Sequence, residues 1–143
     1  MTALSGEKHL TVAYRRWLIS PNDIVFDVWR LAPDGSMADM DRQLFKAAEA
    51  LKGRPFDHVV LAYHGVGRFM IDGAHFGVIG DSWSYQNPIF IVRTLPENVS
   101  DMTGKPAFET WTGGLLGVVS QQMEDHNKLH EQWYLRAEAG LTP

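Results

Sequence analysis

The sequence of 143 residues contains no cysteine. This absence excludes disulfide bonds, thiol nucleophiles and thiolate metal ligands. It also suits the reducing cytoplasm, where disulfides are rare. Residues 1–18 carry charged side chains where a secretion signal needs an apolar core. We therefore expect a cytoplasmic location.

Basic residues are few and scattered. Thirteen Lys and Arg stand against seventeen Asp and Glu, which gives a net charge of −4. A nucleic-acid-binding surface normally shows a basic patch or stripe, so we expect no nucleic-acid partner. No apolar run approaches the roughly 18 residues of a membrane-spanning helix, so we expect no membrane association either.

What the chain does contain is the composition of a globular domain, with 45% apolar and 21% charged residues. Its length is that of one domain, so residues 1–143 are expected to fold as a unit. The most informative stretch is residues 56–72. Residues 59–63 form a continuous apolar run typical of a strand covered on both faces. His64, Gly65, Val66 and Gly67 supply turn chemistry before a second strand that begins at Arg68, so this stretch predicts a β-hairpin near the centre of a sheet.

The clearest helix is predicted over residues 37–52. Ser36 is a good N-cap, an apolar stripe follows at helical spacing, and Gly53 suits the C-terminal end. Predicted strands at residues 23–31 and 57–64 flank this helix, and such a βαβ unit implies parallel pairing.

Three further elements complete the predicted fold. They are a short N-terminal helix over residues 6–18, a strand over residues 89–95 and a long helix over about residues 114–138. Residues 74–87 fit neither the helical nor the strand pattern clearly. The predicted class is α/β or α+β, with a mixed sheet of four or five strands, two main helices packed on it and the short N-terminal helix.

The last helix carries the most suggestive polar residues. His126 and His130 are four residues apart, so both imidazoles lie on one face and could share a ligand. They could ligate a metal or act as general base and proton carrier. They could equally be histidines satisfied by backbone or carboxylate hydrogen bonds. The sequence HNKLH lacks the glutamate of the H-E-x-x-H zinc pattern, and we assign no cofactor.

A second polar group combines the hairpin and the last helix. Its members around the hairpin are His64, Arg68, Asp72, His75 and Asp81, and Asn127 of the last helix is a candidate for the same pocket. Histidines and carboxylates at a hairpin end could form a metal site or an acid–base pair. Their spacing matches no metal motif, and the same residues are common in solvated turns.

Aromatic and amide side chains also concentrate in predicted loops. They are Trp83, Tyr85, Gln86, Asn87 and Trp111. Such residues are favoured at protein interfaces, although aromatic rings also cover cores.

Two functions remain as hypotheses, together with a weaker third. The first is a non-catalytic interaction domain that binds a protein partner or self-associates through the aromatic loops. The alternative is a small metal-dependent or acid–base hydrolase that uses His126 and His130. A third possibility is an anion held by the free amides before the last helix, at Gly113 and Gly114.

Overall fold

The structure is a computed structural model that describes residues 2–3, 10–16, 20–83 and 88–140. The strands are β1 (Thr2–Ala3), β2 (Leu10–Arg16), β3 (Ser20–Arg30), β4 (His58–Tyr63), β5 (Val66–Asp72) and β6 (Val99–Asp101). The helices are α1 (Met37–Leu51), α2 (Gly73–Ser82), α3 (Pro88–Thr94), α4 (Leu115–His130) and α5 (Arg136–Glu138). A 3₁₀ turn (Leu95–Asn98) follows α3, and a π-helical turn (Glu131–Leu135) joins α4 to α5.

The strands form one mixed sheet in the order β1-β2-β3-β4-β5-β6. β3 and β4 are parallel, and the other neighbouring pairs are antiparallel. The predicted class of helices packed on a mixed sheet is confirmed, as is the parallel βαβ unit of β3, α1 and β4. The sheet has more strands than the four or five expected, because β1 and β2 extend one side and the three-residue β6 extends the other.

Local chemistry explains why α1 begins where it does. The Ser36 side chain accepts a hydrogen bond from the backbone N–H of Asp39, and the Asp39 carboxylate accepts one from the backbone N–H of Ser36. This reciprocal capping box satisfies two donors that a helix start leaves open. The buried face of α1 includes Met40, Leu44 and Ala48, so the predicted helix is confirmed.

The predicted hairpin is confirmed, although its turn is shorter than predicted, because Val66 and Gly67 belong to β5. His64 and Gly65 have φ values of 48° and 80°, and Tyr63 pairs with Val66. A two-residue connection with both φ values positive is the type I′ turn, whose twist matches that of paired strands. β4 lies between β3 and β5 and is buried on both faces, with Leu61 in the helix-side core and Val60 on the opposite face.

Two predicted elements were wrong. The helix expected over residues 6–18 is replaced, within the described part, by strand β2 at Leu10–Arg16. The spacing of apolar residues there fits both the helical period and the alternation of a strand. Antiparallel pairing with β3 supplies the backbone hydrogen bonds of the strand. The strand expected over residues 89–95 is instead α3 followed by the 3₁₀ turn. A short apolar run does not separate strand from helix, and Pro88 is tolerated at a first helical position.

The undecided residues 74–87 begin as helix α2. Gly80 explains how α2 can lie so close to α1, because a Cβ atom there would stand 2.3 Å from the carbonyl oxygen of Ala48. Only glycine permits this approach without displacement of the backbone.

One face of the sheet carries the main core and the helices. Phe26, Leu61 and Ile71 pack there with α1 and with the end of the last helix. The indole Nε1 of Trp133 donates a 2.9 Å hydrogen bond to the carbonyl oxygen of Ala62 in β4. The last helix continues through the π-helical turn to Glu138, which confirms the long helix predicted there. No helix in the described residues has both the length and the hydropathy to cross a membrane.

Candidate functional site

Helices α1 and α4 meet at a buried carboxylate. Asp41 of α1 contacts two histidines of α4, with Oδ2 at 2.7 Å from Nε2 of His126 and Oδ1 at 2.9 Å from Nε2 of His130. All three side chains are at least 95% buried. The four-residue spacing on α4 places both imidazoles on one face, and the two rings lie 4.5 Å apart between centroids.

The π-helical turn adds a fourth member to this centre. The hydroxyl of Tyr134 lies 2.5 Å from Nδ1 of His130 and is buried with it. Burial and the nearby Asp41 charge raise the pKa of Tyr134, so this residue is a neutral phenol that can donate its proton. Both ring nitrogens of His130 are therefore engaged.

Burial alone would raise the pKa of Asp41. Hydrogen bonds from His126 and His130, together with the positive charge that these rings carry when protonated, outweigh that effect and lower the pKa below 3.8. Asp41 is therefore an ionised carboxylate at neutral pH, although it is buried.

These contacts assign the protons. An ionised carboxylate only accepts hydrogen bonds, so Nε2 of each histidine carries a proton and donates it to Asp41. Nδ1 of His130 then accepts from the hydroxyl of Tyr134. Nδ1 of His126 has no hydrogen-bond partner in the described part of the chain. We take the neutral form of the ring, the form that a general base requires, in which Nδ1 carries an unshared pair.

His126 borders a pocket of about 540 Å³ between α1, α3 and α4. The apolar lining residues are Met37, Ala38, Phe45, Trp83, Pro88, Ile89, Val92 and Met123. The polar lining residues are Asp41, Arg42, His126 and Asn127. A mostly apolar pocket of this volume with a few convergent polar groups is typical of a small-molecule site.

The same three side chains could hold a metal ion. Asp41, His126 and His130 offer ligand atoms that lie within 4.8 Å of one another, and nitrogen and carboxylate ligands suit Zn²⁺. Tetrahedral zinc with bonds of about 2.0 Å would separate its ligand atoms by roughly 3.3 Å. The observed separations of 2.7 and 2.9 Å are hydrogen-bond lengths, so a metal would require the histidines to move away from Asp41.

The predicted site residues are only partly brought together. His126 and His130 converge on Asp41, and Asn127 is exposed at the same pocket. His64 lies in the hairpin turn, stacked on Trp29 and Tyr63.

The rest of the predicted polar pocket is dispersed. Arg68 lies within β5, and Asp72 ends that strand, so Asp72 and His64 stand at opposite ends of it. His75 follows on α2, where burial lowers its pKa although Asp72 opposes this. Among the residues of this predicted group, Asn127 alone lines the pocket beside His126.

The predicted aromatic group is divided as well. Trp83 is half-buried and lines the pocket. Trp111 donates from Nε1 to the carboxylate of Asp125 on α4, at 2.8 Å. Tyr85, Gln86 and Asn87 lie outside the described residues.

Asp41 is the member of this candidate site that the sequence did not predict. At 100° per residue it falls inside the apolar stripe of α1, between Ala48 and Phe45. A carboxylate within an otherwise apolar helix face needs a buried partner, and that signal could have connected it with the polar half of the last helix.

No protein family, curated protein or solved structure matches this chain. The chemistry must therefore be inferred from the residues themselves. An imidazole held by a carboxylate at one nitrogen and unpartnered at the other is arranged as a general base. The second histidine and Tyr134 keep the carboxylate in place.

Proposed function

We propose that the protein is a small acid–base hydrolase in which His126 is the general base and Asp41 its positioning residue. The observation that carries this proposal is the unpartnered Nδ1 of His126, a residue that lines an apolar pocket while its other nitrogen is bound by Asp41. Buried polar atoms without partners are rare in native proteins and point to function or to a bound molecule.

Hydrolysis through an activated water suits the lining of the pocket. The described residues that line the pocket include no serine or threonine, so they offer no Ser or Thr hydroxyl as a nucleophile. Nδ1 of His126 is shielded from solvent in this structure, so the imidazole must turn toward the pocket before Nδ1 can take a proton from the water molecule that attacks the substrate. The imidazolium formed would be stabilised by Asp41 and would return the proton to the leaving group. General-base catalysis of this kind contributes roughly 10²- to 10⁴-fold.

The test is hydrolysis of an uncharged ester, 2-naphthyl acetate, by the wild-type protein and by His126→Ala. We expect kcat/KM to fall about 100-fold or more in the variant. His75→Ala is the matched control, because His75 lies on α2 and does not line the pocket. Urea unfolding of each variant establishes that it is folded. Hydrolysis that is equal in wild type and His126→Ala, or absent from the wild type, would contradict the proposal.

A second candidate function is protein interaction, including self-association. It is favoured by apolar side chains left in solvent on α3 and α4, two helices that contact each other. Leu116 is 88% exposed, Leu115 68% and Ile89 65%. Exposed apolar surface of this kind is typical of interaction sites when it is contiguous.

A cytoplasmic location and the lack of nucleic-acid and membrane partners remain predictions from composition.

Sedimentation velocity over a wide concentration range tests this second function. If the protein self-associates through α4, Leu116→Ser should shift the population toward monomer. Val78→Ser, at an exposed apolar position on α2, should leave the distribution unchanged. A wild-type protein that stays monomeric at every concentration would argue against self-association.

A further inference from the structure

Two polar atoms at the pocket lack hydrogen-bond partners in the described part of the chain. They are Nδ1 of His126 and Nε1 of Trp83, both buried. The indole nitrogen is only a donor, and the His126 nitrogen, as assigned above, is an acceptor. Both residues line the same pocket. Both atoms are shielded from solvent in this structure, so the two side chains must turn toward the pocket for a bound molecule to satisfy them.

The charged groups of the pocket already have partners, and Asn127, its other polar residue, is an uncharged amide. Asp41 is held by two histidines, and Arg42 donates from its guanidinium to Asp39 at 2.9 Å. A charged ligand would lose its hydration among apolar side chains without meeting an uncompensated opposite charge. The lining therefore favours an uncharged molecule.

We propose that the substrates are uncharged, mainly apolar esters whose carbonyl oxygen accepts a hydrogen bond from Nε1 of Trp83. The hydroxyl product donates to Nδ1 of His126 after hydrolysis. This proposal rests on the hydrolase function and names the substrate class of the same site. The volume of about 540 Å³ lies within the range for drug-sized ligands.

The reaction balances without a further reactant. The attacking water gives one proton to Nδ1 of His126 and its oxygen to the carbonyl carbon. The carbonyl π pair moves onto the oxygen, where the Trp83 N–H stabilises the developing charge. When the ester C–O bond breaks, the leaving oxygen takes the proton from His126, which releases an alcohol and a carboxylic acid.

The test compares binding of four naphthalene compounds by NMR titration of the ¹⁵N-labelled protein. 2-Acetylnaphthalene offers the carbonyl, 2-naphthol offers the hydroxyl, naphthalene offers neither, and 2-naphthoate is charged. Each hydrogen bond should improve affinity over naphthalene by roughly 2- to 10-fold, and 2-naphthoate should bind weakest. The indole N–H signal that is missing in Trp83→Phe should shift with 2-acetylnaphthalene and not with naphthalene.

The variants separate the two contacts. Trp83→Phe should remove the advantage of 2-acetylnaphthalene over naphthalene, and His126→Ala should remove that of 2-naphthol. Because naphthalene is the reference in each protein, a general change of the pocket cancels. Any of three results would overturn the substrate class. They are equal affinities for the three uncharged compounds, tightest binding of 2-naphthoate, and no binding of any compound. His126-dependent hydrolysis of 2-naphthyl acetate would still support the hydrolase itself in that event.

Discussion

The proton assignment makes a specific prediction for Asp41→Asn. The carboxylate of Asp41 accepts hydrogen bonds from His126 and His130, but an amide has only one oxygen and places an NH₂ donor at the other position. The histidine that faces this NH₂ group must move its own proton from Nε2 to Nδ1. If His130 changes, the hydroxyl of Tyr134 loses its acceptor, and if His126 changes, its Nδ1–H has none.

The cost can be worked from these bonds. Two charge-assisted hydrogen bonds, worth about 1.5–3 kcal/mol each, become neutral bonds worth about 0.5–1.5 kcal/mol each. One buried donor also remains unpaired, which costs roughly 1–3 kcal/mol. Removal of a buried charge offsets part of this loss. We therefore expect Asp41→Asn to lower the free energy of unfolding by about 2–3 kcal/mol.

Urea unfolding measures this stability, and ¹⁵N spectra of the imidazole nitrogens report the tautomers. We expect one of the two α4 histidines to change from the Nε2–H to the Nδ1–H form. Asp81→Asn is the matched control, because Asp81 is exposed on α2 and should change stability by no more than about 0.5 kcal/mol. Asp41→Asn with wild-type stability and unchanged tautomers would refute the hydrogen-bond network and, with it, the assigned base.

Three further predictions concern the same buried centre and the packing of the helices around it. Tyr134→Phe leaves Nδ1 of His130 buried without a donor and should cost roughly 1–2 kcal/mol in urea unfolding; a neutral effect would contradict the bond. Gly80→Ala forces a Cβ against the α1 backbone and should lower the free energy of unfolding by about 1–3 kcal/mol or more. The control Gly77→Ala on the same helix meets open space and should raise it by up to about 1 kcal/mol. Equal thermal midpoints of the two variants would contradict the close packing of α2 on α1. The pKa of Asp41 is lower in the folded protein than its ordinary value of 3.8, so the stability it contributes is complete above pH 3.8 and is lost as the pH falls through the folded-state pKa. The stability difference between wild type and Asp41→Asn should shrink as the pH falls below 3.8, and a difference that is independent of pH would contradict the shift.

Prediction from the sequence succeeded where the signal was local. Ser36 and the stripe after it predicted α1, and the turn residues after Tyr63 predicted the hairpin, although they did not give the length of its turn. It failed at residues 10–16 and 89–95, where short apolar segments fit more than one period. Whether such a segment is strand or helix depends on the element that it packs against, and nothing in its own residues reports that.

The sequence by itself determined that His126 and His130 share one helix face, because four residues make about one turn. It also predicted the hairpin and the parallel βαβ unit, since each depends on residues close together in the chain. Only the tertiary structure decided that Asp41 meets those histidines, across separations of 85 and 89 residues. The way α1 lies against α4 sets that contact, and α1, α3 and α4 together line the pocket beside it. Both depend on how distant surfaces fit together, which the order of residues along either helix does not specify.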